Sequence, residues 1–415
     1  MKGDVVRALS AIDWDFAGPR SGYAAPLHWY PGTFVPALSD ALIEALTPVG
    51  GTVFDPYCGI GTAGWSASRT SRSCHLADVN PIALLGAYAT TSLLTLTRTD
   101  RNWVNAALGA LGCLIGRNED LFGPIETREV PQLDQIVDQT CAPAPATMLA
   151  QIVAGPPVWD ALRCWFDPET LTHLEALVGT LAQSKSVYVQ LLGLCMVSAT
   201  ARNLSSQHAS WGHIADNVRP RELKQQNVAT ATIRWLKRAK TFLAQPMILG
   251  RPDIDAQIRP HVHLRDWSKP NSPGAGEADL LVTSPPYADA IDYTLAQRLS
   301  LYLLGYDDEA ILALVFGEIG ARRKRFRSVS RVDWSELLCI ALRDQVTWLK
   351  PEGAVCLVLP HKDHGRGAGE GDLKVSLEKL GWRLYFERDR SIHQAHARQS
   401  WTSIKQETIL VFARK

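Results

Sequence analysis

Thr52-Val53-Phe54-Asp55-Pro56-Tyr57-Cys58-Gly59-Ile60-Gly61-Thr62 carries the strongest statement about architecture in the chain. A short apolar run ending in an acid reads as a buried strand, a loop with Gly59 and Gly61 follows, and Ala63 onward reads as helix. The glycines let backbone approach a ligand closely, and the helix start offers free N–H donors to an anionic group. Two common versions of such a loop are excluded. The third glycine of the dinucleotide fingerprint is missing, and no Gly-Lys-Ser/Thr of a phosphate loop follows.

About sixteen residues on, Cys74-His75-Leu76-Ala77 reads as a second strand, ending in Asp78-Val79-Asn80-Pro81. An acid at that place is positioned for the two hydroxyls of a ribose, and the competing reading is a helix N-cap. Far downstream, Asp279-Leu280-Leu281-Val282-Thr283 reads as a buried parallel strand running into Ser284-Pro285-Pro286-Tyr287. Two prolines cannot donate to a sheet ladder, and the residue before each is pushed away from helix, so the chain leaves the sheet in a stiff extended loop. A hydroxyl, a carbonyl and an aromatic face are then held at a carboxyl strand end, where open α/β sheets place ligands. A rigid turn is the plain alternative.

Asp-Pro-Tyr-Cys-Gly-Ile-Gly-Thr at 55–62, Asp-Val-Asn-Pro at 78–81 and Thr-Ser-Pro-Pro-Tyr at 283–287 together resemble the S-adenosylmethionine-dependent amino-methyltransferases of DNA, and within them the N4-cytosine type. Each motif alone is common; their order and spacing are specific. The resemblance covers about residues 27–90 and 258–300. It implies a class I methyltransferase fold, a Rossmann-like mixed seven-stranded α/β sheet. It also implies S-adenosylmethionine as cofactor, held around Asp55, Tyr57, Cys58, Gly59, Gly61, Thr62, Asp78 and Asn80. Leu27-His28-Trp29-Tyr30-Pro31-Gly32-Thr33-Phe34-Val35-Pro36 is similar to a stretch that closes over the methionine end of the cofactor, which adds Gly32, Thr33 and Phe34. His261-Val262-His263-Leu264-Arg265-Asp266 resembles the third-strand element whose acid contacts the adenine amino group; for Asp266 a turn aspartate is the default reading.

By the same resemblance Ser284, Pro285, Pro286 and Tyr287 are the catalytic loop. The Ser284 side chain and the Pro285 carbonyl accept the hydrogens of an exocyclic amine, drawing its lone pair out of the ring, and Tyr287 stacks on the base. Serine can also donate, which suits the ring acceptor beside the cytosine amino group. A duplex substrate implies a flipped base. An N6-adenine DNA enzyme, an RNA or tRNA base methyltransferase, and a binding module that keeps the fold without turnover are the competing readings. Cytosine C5 chemistry needs a cysteine presented after a proline, and no Pro-Cys occurs, so Cys58 reads as a small packing residue of the loop.

Composition sets outer bounds. The 415 residues are 46% apolar, without a run of membrane-spanning length or a secretory leader. Eight cysteines without a Cys-x-x-Cys pair argue against structural zinc and a disulfide framework, so no metal is expected and the cytoplasm is the expected location. Net charge is only +1, so distribution matters more than the sum. Arg322, Arg323, Lys324, Arg325 and Arg327 form the densest basic cluster and are candidate phosphate contacts, against the plain reading of a solvated face. Arg388, Arg390, His393, His396, Arg398 and Lys405 form a looser one. DNA is the expected partner, a cognate restriction enzyme a candidate one, and the chain is expected as monomer or homodimer.

The strand–helix rhythm holds over 1–96, the first part of the catalytic domain, and over 256–415, its second part. Between them, 97–255 reads as a mostly helical insertion with helices at Thr170–Gln183, Val187–Arg202 and Asn227–Leu243. A target-recognition region, a dimerisation element and a purely structural one are open for it. Residues 1–26 show no periodicity and read as a short arm.

Overall fold

In the computed structural model, β1 (Thr52–Asp55), β2 (Ser73–Asp78), β3 (Pro260–Leu264), β4 (Ala278–Thr283), β5 (Leu349–Pro360), β6 (Trp382–Ser391) and β7 (Gln406–Arg414) form one sheet in the order β3-β2-β1-β4-β5-β7-β6. Strands β1 to β5 are parallel, and β7 runs antiparallel to both β5 and β6. This is the mixed seven-stranded sheet of the class I methyltransferase fold. The structure describes residues 3–16, 26–96, part of 100–111, 131–207, 219–244, 259–287 apart from 271, 272 and 275, 292–320, 334–360, 370–392 and 406–414.

The strand order reverses direction between β1 and β4, so their carboxyl ends lie side by side and open a crevice for ligands. The loop after β1 runs into α3 (Thr62–Arg69) through Gly61, whose φ of 82° favours glycine. A Cβ there would also lie 2.9 Å from that of Ala87 on α4 (Pro81–Thr95), so glycine lets the loop tuck beneath this helix. Every residue of α4 is buried. A helix that is apolar all round needs cover on every side, which the sheet cannot give alone.

The inserted helices supply that cover. They are α5 (Pro131–Thr140), α6 (Pro145–Ile152), α7 (Pro168–Ala182), α8 (Val187–Leu204) and α9 (Val228–Leu243). Asp167, Ser186 and Asn227 cap α7, α8 and α9 by accepting from backbone N–H groups of the first turn. Asp134 on α5 also accepts from Val187 N, Tyr188 N and Ser186 Oγ at 2.8–2.9 Å, a carboxylate set at the positive end of α8. The sheet and these helices share one apolar core, containing Leu76, Leu84, Leu280 and Val411 together with Leu192, Met196, Trp235 and Phe242. The insertion also guards the sheet edge. Ala142 donates to Pro260 O at 2.9 Å and accepts from Val262 N at 2.7 Å, pairing the outer side of β3.

On the other face, Phe54 stacks on Trp348 with centroids 4.7 Å apart. Around them pack Trp267, Leu281, Val355, Trp382 and Phe412, with α12 (Trp334–Gln345) and α13 (Glu370–Lys379). Two expectations are corrected. The N-terminal arm carries a helix, α1 (Gly3–Ser10), and buries Leu9 and Trp14, the latter against Phe386. Arg390 is no part of an exposed basic face: it is 3% exposed, donates to Trp14 O and pairs with Glu407.

Residues 27–36 lie across the top of α8 and α9. Trp235 Nε1 donates to Leu27 O at 2.6 Å and Arg238 to the same oxygen at 3.0 Å. His28 Nδ1 bonds to Trp29 O, so the ring donates there and its Nε2 accepts from Ser198 Oγ at 2.7 Å. Trp235→Phe keeps an aromatic ring but removes a buried hydrogen bond and part of a fully buried side chain. It is expected to lower unfolding free energy by about 1–2 kcal/mol in urea titrations, and to speed proteolysis within 27–36. An unchanged midpoint and cleavage pattern would show that the helices do not hold this segment.

Candidate active site

The crevice at the β1–β4 boundary is a cavity open to solvent on one side. Gly32, Thr33, Phe34, Tyr57, Cys58, Gly59, Thr62, Asp78, Ser284 and Pro286 line it, so segments more than two hundred residues apart in sequence meet at one place. Tyr30, Ile60, Val79, Trp267, Tyr293, Gly317, Glu318 and Ile319 complete the wall.

Asp78 stands at the end of β2 and orders the loop beside it. Its Oδ2 accepts from Gly59 N at 3.0 Å and its Oδ1 from Asn80 N at 2.9 Å. The helix cap is Asn80, which accepts from Ile82 N, with Pro81 in the first turn. Asp78 is therefore not the cap, and its carboxylate faces the cavity. Gly59, at φ 51°, lies under Tyr30, where an added Cβ would be 3.3 Å from the ring. Tyr30 in turn stacks on Tyr293 with centroids 6.0 Å apart, closing the side formed by 27–36.

Asp55 lies beneath the cavity wall and is 1% exposed. It accepts from Tyr57 N at 3.1 Å and from Thr283 Oγ1 at 2.7 Å, linking the two loops from below. Gly61, Asn80 and Pro285 likewise support the wall without lining it. Asp266 lies outside the lining, with a bond to Ser268 and an ion pair to Lys269 at 2.9 Å, as a turn aspartate does. It sits behind Gly317, where a Cβ would be 3.3 Å from Asp266 Oδ2. Cys58 is buried, and burial pushes its thiol well up, which suits packing and not nucleophilic chemistry.

Ser284 Oγ donates to the Tyr287 hydroxyl at 3.0 Å, and Tyr287 donates to Glu407 Oε1 on β7 at 2.7 Å. Glu407 is held in turn by Arg390. This chain spends the Ser284 proton on Tyr287, leaving the Ser284 oxygen as an acceptor toward the cavity. Donation by Ser284 to a ring acceptor would require its hydroxyl to turn away from Tyr287. Tyr287 is half-buried, tied back toward β7, and is not part of the lining. Trp334 Nε1 fixes the loop from behind by donating to Pro286 O at 2.7 Å. The basic cluster 322–327 lies outside the described residues.

Sequence reasoning missed Glu318, which follows α11 (Asp308–Gly317) and is 4% exposed. Its Oε1 accepts from the backbone N–H and hydroxyl of Thr294. Its Oε2 is buried and has no partner among the described residues. An acid in an apolar -Phe-Gly-Glu-Ile-Gly- run was the available signal. Burial pushes the carboxyls of Asp55, Asp78 and Glu318 up to about 7, about 6 and about 8. Three carboxyls that resist charging around one cavity suit a cationic ligand.

No family model matches this chain, and no curated protein matches it. Among solved structures it is similar to TrmN from Thermus thermophilus, at 10% identity and a TM-score of 0.31 over 93% of this chain and 50% of that one. It is also similar to a TehB-like SAM-dependent methyltransferase from Corynebacterium glutamicum, at 10% identity and 0.29 over 91% and 87% of the two chains. A third is the rRNA methyltransferase aviRa from Streptomyces viridochromogenes, at 12% and 0.31 over 98% and 94%. The chain spans half the length of the TrmN chain. Likeness at these scores carries no functional weight, and the site rests on its own residues.

The raised carboxyls make stability depend on pH with a definite sign. Glu318 moves from its ordinary 4.5 to about 8 on folding, so its contribution is full below 4.5 and is lost as pH rises toward 8. Asp55 and Asp78 act in the same direction over windows ending near 7 and 6. The melting temperature of the ligand-free protein is expected to fall between about pH 5 and 8, and Glu318→Gln to make that fall shallower throughout and to remove it above about pH 7. Identical slopes in the two proteins would take Glu318 out of the titration.

Proposed function

We propose that this protein transfers a methyl group from S-adenosylmethionine to an exocyclic amino nitrogen of a nucleobase, with N4 of cytosine in DNA as the substrate. The carrying observation is that Ser284 and the Gly59–Asp78 pair line one cavity, with Ser284 presenting an acceptor oxygen. S-adenosylmethionine would supply an electrophilic methyl group on a cationic sulfonium. Asp78 retains lone pairs for ribose hydroxyls, Trp267, Ile60 and Ile319 offer apolar walls for a planar base, and the unpartnered Glu318 Oε2 suits a cationic group. These donor sets fit the cofactor.

The chain's own chemical task is to prepare the amine. An exocyclic nitrogen is a weak nucleophile because its lone pair is delocalised into the ring. An acceptor fixed opposite its hydrogens favours the tetrahedral shape, and Ser284 is fixed because Tyr287, Glu407 and Arg390 hold its hydroxyl in one orientation. No residue here needs to act as a strong base. Positioning of two bound reactants supplies most of the gain. An acceptor-only Ser284 serves any exocyclic amine, and the cytosine assignment rests on the resemblance of the Ser-Pro-Pro-Tyr loop.

Purified protein with labelled S-adenosylmethionine and separate DNA and RNA pools, digested to nucleosides, tests the reading. N4-methylcytosine in DNA is expected; N6-methyladenine, or label confined to RNA, would replace the substrate, and no label in either pool would overturn the activity. Ser284→Ala is expected to keep cofactor affinity while turnover drops about 100-fold or more. Glu407→Gln, which weakens the anchor and leaves Ser284 in place, is expected to cost about 10-fold in kcat with little change in KM for cofactor. Equal turnover in all three proteins would remove the Ser284 loop from the reaction.

A further inference from the structure

Three histidines meet on the sheet face away from the inserted helices. His261 and His263 alternate along β3 and so project from the same side, about 6.6 Å apart along the strand. His75 on β2 is the register partner of His261. One nitrogen from each ring lies within 4.8 Å of the other two. His75 Nδ1 and His263 Nε2 are 3.1 Å apart. That is the only hydrogen bond of these three rings among the described residues. All three side chains are half-buried. Trp348 backs the group, edge-on to His75 and His263 at 5.4 Å.

We propose that His75, His261 and His263 form a three-imidazole site for a divalent transition-metal ion of the zinc class. Zinc–nitrogen bonds of about 2.0–2.1 Å in a tetrahedron place ligand nitrogens about 3.4 Å apart. The His75–His263 pair already meets that spacing, and small side-chain rotations bring in the third. Imidazole ligands suit zinc, copper, iron and nickel, and three of them leave one position for water or an outside ligand. The uncharged ring is the ligating form, and burial disfavours protonation at all three. Arg259 and Arg265 lie near enough to oppose positive charge, and Glu277 offsets part of this at His261. Affinity must therefore come from direct metal–nitrogen bonds. A bound ion would tie the edge strand β3 to β2, three residues before Asp78 and four before Trp267, and so would brace one wall of the cavity.

Metal-stripped full-length protein titrated with Co²⁺ and Zn²⁺ tests this. The expected result is uptake of one equivalent, visible d–d absorption of four-coordinate cobalt, displacement of that signal by Zn²⁺, and a rise in melting temperature with Zn²⁺. His261→Gln on the edge strand is expected to weaken binding at least about 10-fold. The variant H75Q/H261Q/H263Q, checked for folding by circular dichroism, is expected to abolish it. No stoichiometric uptake by the unmodified protein would overturn the proposal whatever the variants do. Uptake unchanged in the single and triple variants would overturn it too, and would place the metal on other groups such as the cavity carboxyls.

Discussion

The hydroxyl of Thr283 donates to Asp55 at 2.7 Å, across the neighbouring carboxyl ends of β4 and β1. Much of the site depends on this one buried bond. The strand order changes direction at that boundary, so the sheet itself leaves a gap there. The bond closes the floor of the gap and sets two loops at a common height. One loop carries Gly59 and, through it, Asp78; the other begins one residue later with Ser284. An Asp55 buried at 1% exposure would be costly without partners, and Thr283 and Tyr57 N are those partners.

The inserted helices have a structural part that composition did not reveal. A wholly buried α4 cannot exist in a bare two-layer domain, and α8 lies against it with Tyr188 bonded to Ser92 at 2.9 Å. From the same helices come the bonds that hold Leu27 and His28, at the start of the segment bearing Gly32, Thr33 and Phe34. The insertion thus stands behind one wall of the cavity. A role in target choice would have to coexist with this one.

What the sequence disclosed follows from how local each signal is. Gly59 and Gly61, the acid at 78 and the prolines at 285 and 286 are constrained by their own backbone, so their loops were legible. The three long inserted helices were legible because apolar spacing is local, though the first begins at Pro168 behind the Asp167 cap and not at Thr170. The roles of side chains set by distant partners were not. Asn80, not Asp78, takes the helix cap, since only the folded loop shows that Gly59 claims the Asp78 oxygen. Arg390 looked like surface charge until β7 placed Glu407 beside it. The helix of the arm was legible and was missed, since Val5, Leu9 and Ile12 fall on one helical face, whereas the meeting of Trp14 with Phe386 on β6 depends on the whole fold. The His-x-His of β3 was visible as a spacing, but its meaning depends on His75 arriving in register from another strand.

The electrostatics of the cavity then join these parts. Burial raises Asp55, Asp78 and Glu318 alike, and a charged Asp78 further disfavours charge on Asp55 and on Glu318. Such a set is mostly protonated below about pH 6, and it gains charge when a cation enters. A ligand bearing positive charge would therefore bind with proton release, and its affinity would rise with pH up to the raised pKa values. A neutral or anionic ligand of the same shape would gain nothing from that coupling. A cationic methyl donor bound there would gain from this coupling where its neutral-sulfur product would not, through the same buried carboxyls that weaken the empty protein at high pH. Glu318, whose second oxygen has no partner among the described residues, would then serve a bound cation at the expense of the empty protein's stability at high pH.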